Sequence, residues 1–568
     1  MGSSVDQYGR EVTIGTDSNG QVGNQDLIDW NAQFTPKLDK ITDTVYAANG
    51  YGLANSIMIE GDTGIIIIDT NDSIEAAQME LEQYRKITDK PISGIIYTHW
   101  HYVSGTEAYI PADNPDNVPI IANERLPEQM AGAISEVASS YADRVSRHHG
   151  VYLPEEGEDA IIGCGLGSFY ANPLIENPTQ GYIAPNTFIK EGESQEMTID
   201  GVDFVFTAQA SDSEDGLIIW LPEEKVCINN LTWPTMPNLY TLRGEVYRDP
   251  RVWIDGLDKV LAYEPEHVLT THGLPLSGKD VIQKEVTLQR DSLQFIFDQT
   301  VRYMNKGYSI DQIVESVKMP EYLVSGMITQ PYYGEVNHYI RGVYRGLIGW
   351  FSTDTVELNA VTPEFEAMKI IDGFGGADMV MEQAKATLED KQYSWAAQLA
   401  TYVMYVEPEN EEAIQLKADA LRAMGQLAPA TTSRNYYLSQ ARELEGVLDY
   451  SRGVAVSADK LLSAPRDTFL KMLRVSIDPE KSSEIDRTFK VTFTDKQDSY
   501  GLIIRNGVGQ VVYDPESADV EMKLPYDTLI SVLVGEKNFS ESIQSGEIVI
   551  EGDMEVFQEI MSAFDIAL

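Results

Sequence analysis

A run of four isoleucines, Ile65 to Ile68, constrains the fold of this chain more than any other feature. Such a continuous apolar run predicts a strand that is buried on both faces. The segment SIMIE before it predicts a partner strand, joined through the turn sequence GDTG. The next segment, IEAAQMELEQYRKIT, has helical spacing, and PISGIIYTHW returns to a strand pattern. Strand, helix and strand in this order predict a βαβ unit, in which the loops at the carboxyl ends of the strands usually carry the chemistry.

The periodicity changes along the rest of the chain, which predicts several domains. GVDFVFTAQ, DGLIIWLPEEKVCINN and EHVLTTHGLP have strand patterns, and PRVWIDGLDKVLAYE has helical spacing. The period is helical from about residue 279 to 350, and another run of helices follows Pro363. The end of the chain alternates like antiparallel strands with Gly-containing turns, and it also contains amphipathic helices. We assign residues 1–40 to an N-terminal arm, 41–350 to an α/β domain, 351–450 to a helical segment and 451–568 to an α+β domain.

The charge of the chain excludes some classes of partner. It has 89 acidic and 42 basic residues, a formal net charge of −47, which repels nucleic acid and anionic membranes. No window has the apolar length of a membrane helix. Cys164 and Cys227 are the only cysteines, so we expect neither a disulfide framework nor a cysteine-based zinc site. The opening MGSSVDQYGREVTIGTDSNG lacks the apolar core of a signal peptide. The compartment stays open: cytoplasmic for the chain as written, periplasmic or secreted if a signal was replaced.

Two histidines stand at the end of the strand in PISGIIYTHW. His99 and His101 are two residues apart, a spacing that points both rings to one side at a strand end. Imidazole nitrogens are common zinc ligands, so the pair predicts a metal site. His148, His149, His267 and His338, taken singly, are interpreted as surface or packed residues. The pair in THWH is therefore the principal candidate for metal chemistry.

The segment THWHYVSGT resembles the Thr-His-x-His-x-Asp-His signature of the metallo-β-lactamase superfamily. GDTGIIIIDT, GCGLG, PNLYTLRGEVYRDP, THGLPLSG and LIGWF resemble, in this order, the alkylsulfatase branch of that superfamily. The resemblance extends from about residue 40 to the end of the chain. It implies a metallo-β-lactamase-like αββα sandwich, an all-helical dimerisation segment and a sterol-carrier-protein-like α+β domain. It also implies a homodimer, with the interface in the helical segment.

The resemblance further implies a set of metal ligands. In the family two zinc ions share one pocket, held by the signature residues, two carboxylates and a later histidine. His99 and His101 match the first two ligands, and Asp212 in QASDSEDG matches the third ligand of the same ion. His272 in TTHGLP matches the later histidine, which serves the second ion.

Three positions depart from the family pattern. Val103 replaces the aspartate of the signature, Ser104 replaces its last histidine, and Asn230 stands where a bridging carboxylate is expected. Valine has no ligand atom, and serine and asparagine are poor substitutes for anionic or imidazole ligands. Two imidazoles and one carboxylate still suffice for a single zinc with an open position for water. We therefore predict one zinc ion at most.

Further residues are candidates for contacts around the metal. The resemblance matches Arg243 in TLRG to the family arginine that contacts the sulfate group. Forked guanidinium donors suit a tetrahedral oxyanion, and a structural salt bridge is the alternative interpretation. Tyr333 is a weaker candidate for a substrate contact, with packing as the alternative. Asp69, after the isoleucine strand, is interpreted either as orienting a ligand histidine or as capping its loop.

Three interpretations of function remain at this point. The first is an alkylsulfatase-like hydrolase that cleaves alkyl sulfate esters to alcohol and sulfate at a reduced metal site. The second is a non-hydrolytic family member that binds an amphipathic or anionic ligand, since function depends on the site and not on the fold. The third is an unrelated α/β hydrolase with structural histidines, for which the chain offers neither a Gly-x-Ser-x-Gly elbow nor a P-loop. Whether water attacks carbon or sulfur, and which alkyl chain length is preferred, stays open.

Overall fold

The computed structural model describes residues 8–133, 135–167, 175, 177–244, 246–454 and 457–565. Two compact units are distinguished by their internal contacts. The first consists of the described parts of Met1–Glu124, Asp143–Thr179 and Pro185–Val454, and the second of those of Arg125–Ala142, Gln180–Ala184 and Ala455–Leu568. The first seven residues of the predicted arm, and residues 455, 456 and 566–568 of the predicted last domain, lie outside the described residues.

The first unit contains two large sheets and a short two-stranded one. Its strands are β1 Ile14–Thr16, β2 Val22–Asn24, β3 Lys37–Lys40, β4 Val45–Asn49, β5 Ser56–Glu60, β6 Ile65–Ile68, β7 Ile92–Ile96, β8 Ile120–Asn123, β9 Thr187–Ile189, β10 Gln195–Ile199, β11 Val202–Ala208, β12 Leu217–Leu221, β13 Val226–Asn229, β14 His267–Thr270 and β15 Leu276–Ser277. Strands β3 to β9 form a seven-stranded sheet and β10 to β15 a six-stranded one, each in sequence order, while β1 pairs with β2.

A shared apolar core joins the two large sheets. It contains Ile66 and Ile68 from β6, Phe204 and Phe206 from β11, and Leu269 from β14, all buried. The side chains of a strand alternate between its two faces, so each sheet contributes one face to this core. The predicted sandwich is confirmed by these two sheets and the core between them.

The predicted βαβ unit is present. Strands β5 and β6 are antiparallel across GDTG, and β6 and β7 are parallel, with the helix Ile74–Tyr84 between them. All four isoleucines of β6 are fully buried, as expected for an interior strand. The loop that follows β7 carries His99 and His101, so the first two candidate ligands lie at the carboxyl end of a strand.

The described residues also contain the helices of the chain. They are α1 Gln25–Asn31, α2 Ile74–Tyr84, α3 Leu126–Ala133, α4 Ala138–His149, α5 Pro250–Ala262, α6 Lys279–Met304, α7 Ile310–Ser316, α8 Val336–Ile348, α9 Pro363–Phe374, α10 Ala377–Glu389, α11 Tyr393–Val406, α12 Glu411–Leu427, α13 Thr431–Leu444, α14 Ala458–Ser463, α15 Thr468–Val475, α16 Pro479–Ser482, α17 Tyr526–Leu533, α18 Phe539–Ser545 and α19 Met554–Ser562. Helices α9 to α12 bury a common apolar core, which matches the predicted helical segment. Among the described residues, no helix is both long enough and apolar enough to span a bilayer.

The structure differs from the sequence prediction at the N-terminal end. Residues 37–40, assigned to the arm, form β3 and pair with β4 at the edge of the seven-stranded sheet. Leu27 of α1 is fully buried. These elements were not predicted because the segment is polar and Gly-rich and each element has only three to seven residues. That is too few to establish a hydrophobic periodicity.

The second unit is an α+β assembly. Its strands are β16 Arg487–Phe493, β17 Asp498–Arg505, β18 Val508–Tyr513, β19 Val520–Leu524 and β20 Val549–Gly552. They form a five-stranded sheet in the order β18-β17-β16-β19-β20, in which β16 and β19 are parallel and the other pairs antiparallel. One apolar core includes residues of the sheet and of helices α15, α17 and α19. This arrangement agrees with the predicted α+β class.

Candidate metal and sulfate site

His99 and His101 lie close together, although not on a continuous strand. After β7 the chain enters a single 3-10 turn, Trp100–Tyr102, so the two histidines flank and enter a turn. Their rings meet edge to face, with centroids 4.8 Å apart. His99 is fully buried, whereas the His101 side chain is 12% exposed. The turn thus produces the convergence that the spacing predicted, by a different backbone geometry.

Asp212 reaches both histidines from the loop after β11. Its Oδ1 is 3.6 Å from His99 Nε2, and its Oδ2 is 3.2 Å from His101 Nδ1. One ligand atom from each of these three residues lies within 4.8 Å of the others. Two imidazole nitrogens and a carboxylate oxygen are a suitable donor set for one zinc-type ion. The structure therefore brings together the three predicted ligands of the first ion.

Burial and charge set the protonation states of these donors. Burial lowers the pKa of His99 to about 3, so its imidazole is neutral at ordinary pH. Burial alone would raise the pKa of Asp212, but the adjacent histidines and the charge of Arg248 hold it well below its usual range. A neutral imidazole and an ionised carboxylate are the forms that bind metal ions.

Asp69 reaches His99 through Thr98. The backbone N–H of Thr98 donates to Asp69 Oδ1 at 2.8 Å, and the Thr98 hydroxyl donates to Oδ2 at 2.7 Å. The hydroxyl oxygen lies 2.9 Å from His99 Nδ1 and accepts its N–H, which leaves the Nε2 lone pair toward Asp212. Asp69 also has a positive φ of 57°, unusual for a non-glycine residue. These contacts match the orienting role more closely than a loop cap.

His272 is held in another arrangement. It follows β14, is fully buried and is not part of the three-residue donor group. Its Nδ1–H donates to the backbone oxygen of Leu53 at 2.9 Å, so Nε2 carries the lone pair. The hydroxyl of Tyr102 lies 3.3 Å from that Nε2 and donates to it. The predicted second-ion ligand is therefore paired with a phenol.

The donors needed for a second ion do not fit. Val103 is fully buried without a ligand atom, Ser104 is buried, and Asn230 presents an amide instead of a carboxylate. With His272 bonded to Tyr102, no described residue among these supplies the anionic donors a second zinc requires. The donor set fits one ion and does not fit two.

Two arginines place positive charge beside the donor group. Arg243, in the segment PNLYTLRG, is 5% exposed, and Arg248 is 8% exposed. Burial raises the pKa of Tyr333, and the charges of both arginines oppose that rise. Burial lowers the pKa of His272 to about 4, and Arg243 contributes to this decrease. The positive charge of Arg243 thus influences the pKa values of Tyr333 and His272, two residues around the donor group. A positive charge in this position suits the binding of an anion.

Tyr333 is buried against a histidine pair that the sequence analysis set aside. Its hydroxyl lies 2.9 Å from His148 Nε2, and its ring centroid is 5.4 Å from that of Trp233. His148 and His149 are both buried at the end of α4. They are packed residues, as interpreted, but His148 also fixes a candidate substrate contact. Adjacent histidines at a helix end gave no sign of this, because the partner lies 185 residues away.

Sequence reasoning also missed three other residues of the site. Tyr102 and Trp233 contact His272, and Arg248 acts on Asp212. Tyr102 lies within the signature segment and Arg248 within PNLYTLRGEVYRDP, so the segments themselves marked the region. The side-chain roles depend on contacts across the fold that the segments do not encode.

Comparison with known proteins gives a consistent result. Residues 49–102 match a family model described as the metallo-beta-lactamase superfamily, 309–446 one described as alkyl sulfatase dimerisation, and 454–567 one described as alkyl sulfatase C-terminal. The chain is 33% identical over 526 residues to a linear primary-alkylsulfatase of Pseudomonas sp., covering 89% of this chain and 98% of that protein. It is 31% identical over 540 residues to the alkyl/aryl-sulfatase BDS1 of Saccharomyces cerevisiae, covering 93% of this chain and 82% of that protein.

A solved structure extends the similarity to the whole fold. The stereoselective inverting sec-alkylsulfatase Pisa1 from Pseudomonas sp. superposes with a TM-score of 0.87 at 26% identity, covering 99% of this chain and 91% of that one. The resemblance seen in THWHYVSGT and PNLYTLRG is thereby confirmed over nearly the full length. The chain belongs to the alkylsulfatase family of the metallo-β-lactamase superfamily.

Proposed function

We propose that this chain is a sulfuric ester hydrolase that acts on alkyl sulfates at a site with a single metal ion. In this reaction one water and one alkyl sulfate ester give one alcohol and one hydrogensulfate ion. The names of its relatives, linear primary-alkylsulfatase and alkyl/aryl-sulfatase, support the reaction class. The observation that carries the proposal is the close group of His99, His101 and Asp212 with buried arginine charge beside it.

The proposed metal is zinc, held by His99, His101 and Asp212. Zinc accepts two nitrogen donors and one carboxylate oxygen and leaves a position open for water. When bound, it supplies Lewis acidity that raises the acidity of a water molecule. Asp69 and Thr98 hold the His99 ring in the orientation that this role requires.

The sulfate end of the substrate is proposed to bind Arg243. A guanidinium presents parallel N–H donors that reach two oxygens of a tetrahedral oxyanion. Arg248 adds positive charge, and Tyr333, fixed by His148, offers a hydroxyl to the same region. A buried site of this kind strengthens interactions with charge, because the local dielectric constant is low.

A second candidate function is ligand binding without hydrolysis. The observation in its favour is that side chains at metal-ligand positions of the family are hydrogen-bonded to other side chains of this protein. Tyr102 bonds to His272, and the amide of Asn230 bonds to Asp212. Under this alternative the pocket keeps its affinity for an amphipathic anion and loses the reaction.

One experiment separates the two functions. Protein purified without chelator is analysed for metal content, and sulfate release is measured from micromolar dodecyl sulfate. The hydrolase predicts about one zinc per chain and turnover. Absence of both metal and sulfate release, with dodecyl sulfate binding intact, overturns the hydrolase in favour of the binding protein.

A substitution in the anion site sharpens this test. Arg243→Lys keeps the charge and removes the fork, so we expect sulfate release to fall about 10-fold to 100-fold, as expected when one or two charge-assisted hydrogen bonds are lost. Arg290→Lys on α6 is the control, because that side chain pairs with Asp258 at the surface. Equal effects of the two changes would remove Arg243 from the proposal.

We also propose that the chain forms a homodimer through its helical part. Residues 309–446 match the alkyl sulfatase dimerisation model, and an exposed apolar stretch lies within this region. Ile348, Trp350, Val356 and Leu358 are between 56% and 72% exposed. Four large, exposed apolar side chains within eleven residues of sequence, on a chain of this charge, support a protein interface in this segment.

A further inference from the structure

We infer that Asn230 caps the metal donor set, and that Trp233 locks it in the capping orientation, so that this residue pair lowers the affinity of the site for divalent ions. The inference concerns how the site binds metal, and it rests on the proposed metal-binding role of His99, His101 and Asp212. It differs from the loss of a ligand, because the amide opposes metal binding through hydrogen bonds that it makes itself.

The orientation of the Asn230 amide follows from its two neighbours. Indole Nε1 of Trp233 is a donor only, and it lies 3.1 Å from one amide atom of Asn230, which must therefore be the acceptor Oδ1. The ionised carboxylate of Asp212 can accept hydrogen bonds but cannot donate them. Its Oδ1 lies 2.6 Å from the other amide atom, which must therefore be the NH2 group. The two contacts require the same orientation, so the amide is fixed from both sides.

The NH2 group faces the atoms that a metal ion would bind. Asn230 Nδ2 lies 2.6 Å from Asp212 Oδ1 and 3.3 Å from His99 Nε2, which carries the lone pair of that ring. It also lies 3.2 Å from Ser211 Oγ. Asp212, His99 and Ser211 are buried, and Asn230 itself is 1% exposed. An amide NH2 has no available lone pair and presents hydrogens, so it cannot become a ligand in this orientation.

Metal binding therefore requires the amide to move. Zinc bonds of about 2.0–2.2 Å take up the same lone pairs of Asp212 and His99 that the NH2 group now uses. Turning Oδ1 toward the ion would break the bond from Trp233 and leave a buried indole N–H with only the backbone oxygen of Asn230 at 3.1 Å. Both movements lower the apparent affinity, in the way that contacts around a ligand set usually tune a metal site.

The test is zinc affinity, measured by competition with a chromophoric chelator on the full chain, with the Co²⁺ absorption spectrum as a second readout. Trp233→Phe keeps the ring and removes the N–H, so we expect zinc to bind at least about 10-fold more tightly. Asn230→Asp replaces the NH2 by an anionic ligand atom, and we expect a larger increase. Asn230→Asp should also unfold at lower temperature in chelator, because two carboxylates then face each other, and recover with zinc.

Two matched controls are available in the chain. Trp253→Phe removes a buried indole N–H that donates to the backbone oxygen of Leu231 at 3.0 Å instead of to the Asn230 side chain. Asn229→Asp makes the same change one residue earlier, where the side-chain oxygen accepts from the backbone N–H groups of Leu231 and Thr232. Neither control should change zinc affinity, and any loss of stability in them should not respond to zinc.

The outcomes separate the inference from the proposed function. Tight zinc binding by the wild type that neither Trp233→Phe nor Asn230→Asp improves overturns the inference and leaves the hydrolase standing. Zinc binding by the variants but not by the wild type supports the inference and counts against the single-metal hydrolase. Absence of zinc binding in every variant overturns both, and sulfate release by the metal-free chain would then have to be explained by other residues.

Discussion

At the scale of single residues, Asp212 supplies the one carboxylate of the three-residue donor set. We expect Asp212→Asn to weaken zinc binding by about 100-fold or more, because even changes around a ligand set cost 10-fold to 100-fold. Asp215→Asn is the matched control, since Asp215 is equally buried in the same loop but bonds to Ser213 and is not in the donor group. Metal content after dialysis measures both. Equal metal loss in the two variants would contradict the assignment.

Tyr333 and His148 give a second prediction at this scale. Tyr333→Phe removes the hydroxyl that bonds to His148 Nε2 and leaves that buried nitrogen without this bond, which we expect to lower the free energy of unfolding by about 1–3 kcal/mol. Combining it with His148→Leu should cost less than the sum of the single changes, because the pair then disappears together. Thermal unfolding of the four proteins measures this. Strict additivity would show that the bond contributes nothing.

How far the sequence predicts the site depends on which contacts are local. His99 and His101 are recognisable because two residues of separation and the strand before them are local facts. Asp212 and Arg243 could be placed only through a family resemblance. The bond from Tyr102 to His272 could not be predicted, because the two residues are 170 positions apart in the chain. The orientation of Asn230 could not be predicted either: Trp233 is only 3 positions away, but the direction of its indole N–H is defined only in the folded chain.

At the scale of elements, the turn between β5 and β6 depends on a residue from another sheet. Asp200, between β10 and β11, accepts the N–H and hydroxyl of Thr63 and the N–H of Gly64. A side chain at Gly61 would approach Asp200 Oδ2 to within 2.4 Å, so the turn needs glycine there. The same chain segment GDTG that predicts the strand pair is thus held by a carboxylate that the local sequence does not reveal.

This contact predicts a pH-dependent contribution to stability. Burial would raise the pKa of Asp200, but bonds from Thr63 and Gly64 outweigh it and lower the pKa. The stabilisation is therefore complete above the unfolded pKa of about 3.9 and is lost as the pH falls through the lower folded value. Asp200→Asn should reduce stability by about 1–2 kcal/mol at pH 7, and this difference should shrink only below about pH 4. If the stability difference between wild type and Asp200→Asn already shrinks near pH 6, the pH dependence belongs to another titratable group.

Element prediction succeeded where the pattern was long and strongly periodic. The βαβ unit and the helices α9 to α12 agree with the expected pattern, since burial on one face or on two imposes a period on the sequence. The strand β3 and the helix α1 were not predicted, because four and seven residues of mixed polarity do not establish a period. Residues Trp100–Tyr102 form a turn where a strand was expected. His99 precedes this turn and His101 lies within it, and both side chains approach Asp212.

At the scale of the whole molecule, a net charge of −47 makes self-association dependent on apolar contact. Like charges oppose the approach of two copies, and salt screens that repulsion over about 10 Å at 0.1 M. We therefore expect the proposed homodimer to tighten as salt is raised from low to physiological concentration, as measured by sedimentation velocity. A dimer that weakens with salt would instead be held by ion pairs.

The exposed apolar stretch is the surface through which we expect the proposed homodimer to form. Trp350 is 65% exposed, and replacing such a residue at an interface centre typically costs about 2 kcal/mol or more, roughly 30-fold in the dissociation constant. Trp350→Asp should therefore shift the chain toward monomer, since it removes the ring and adds a charge to each copy. Tyr513→Asp, at a residue 71% exposed on β18 of the second unit, is the control and should leave the dimer unchanged. If Tyr513→Asp dissociates the dimer and Trp350→Asp does not, the interface lies in the second unit, because a charge disrupts association only where the surface is covered.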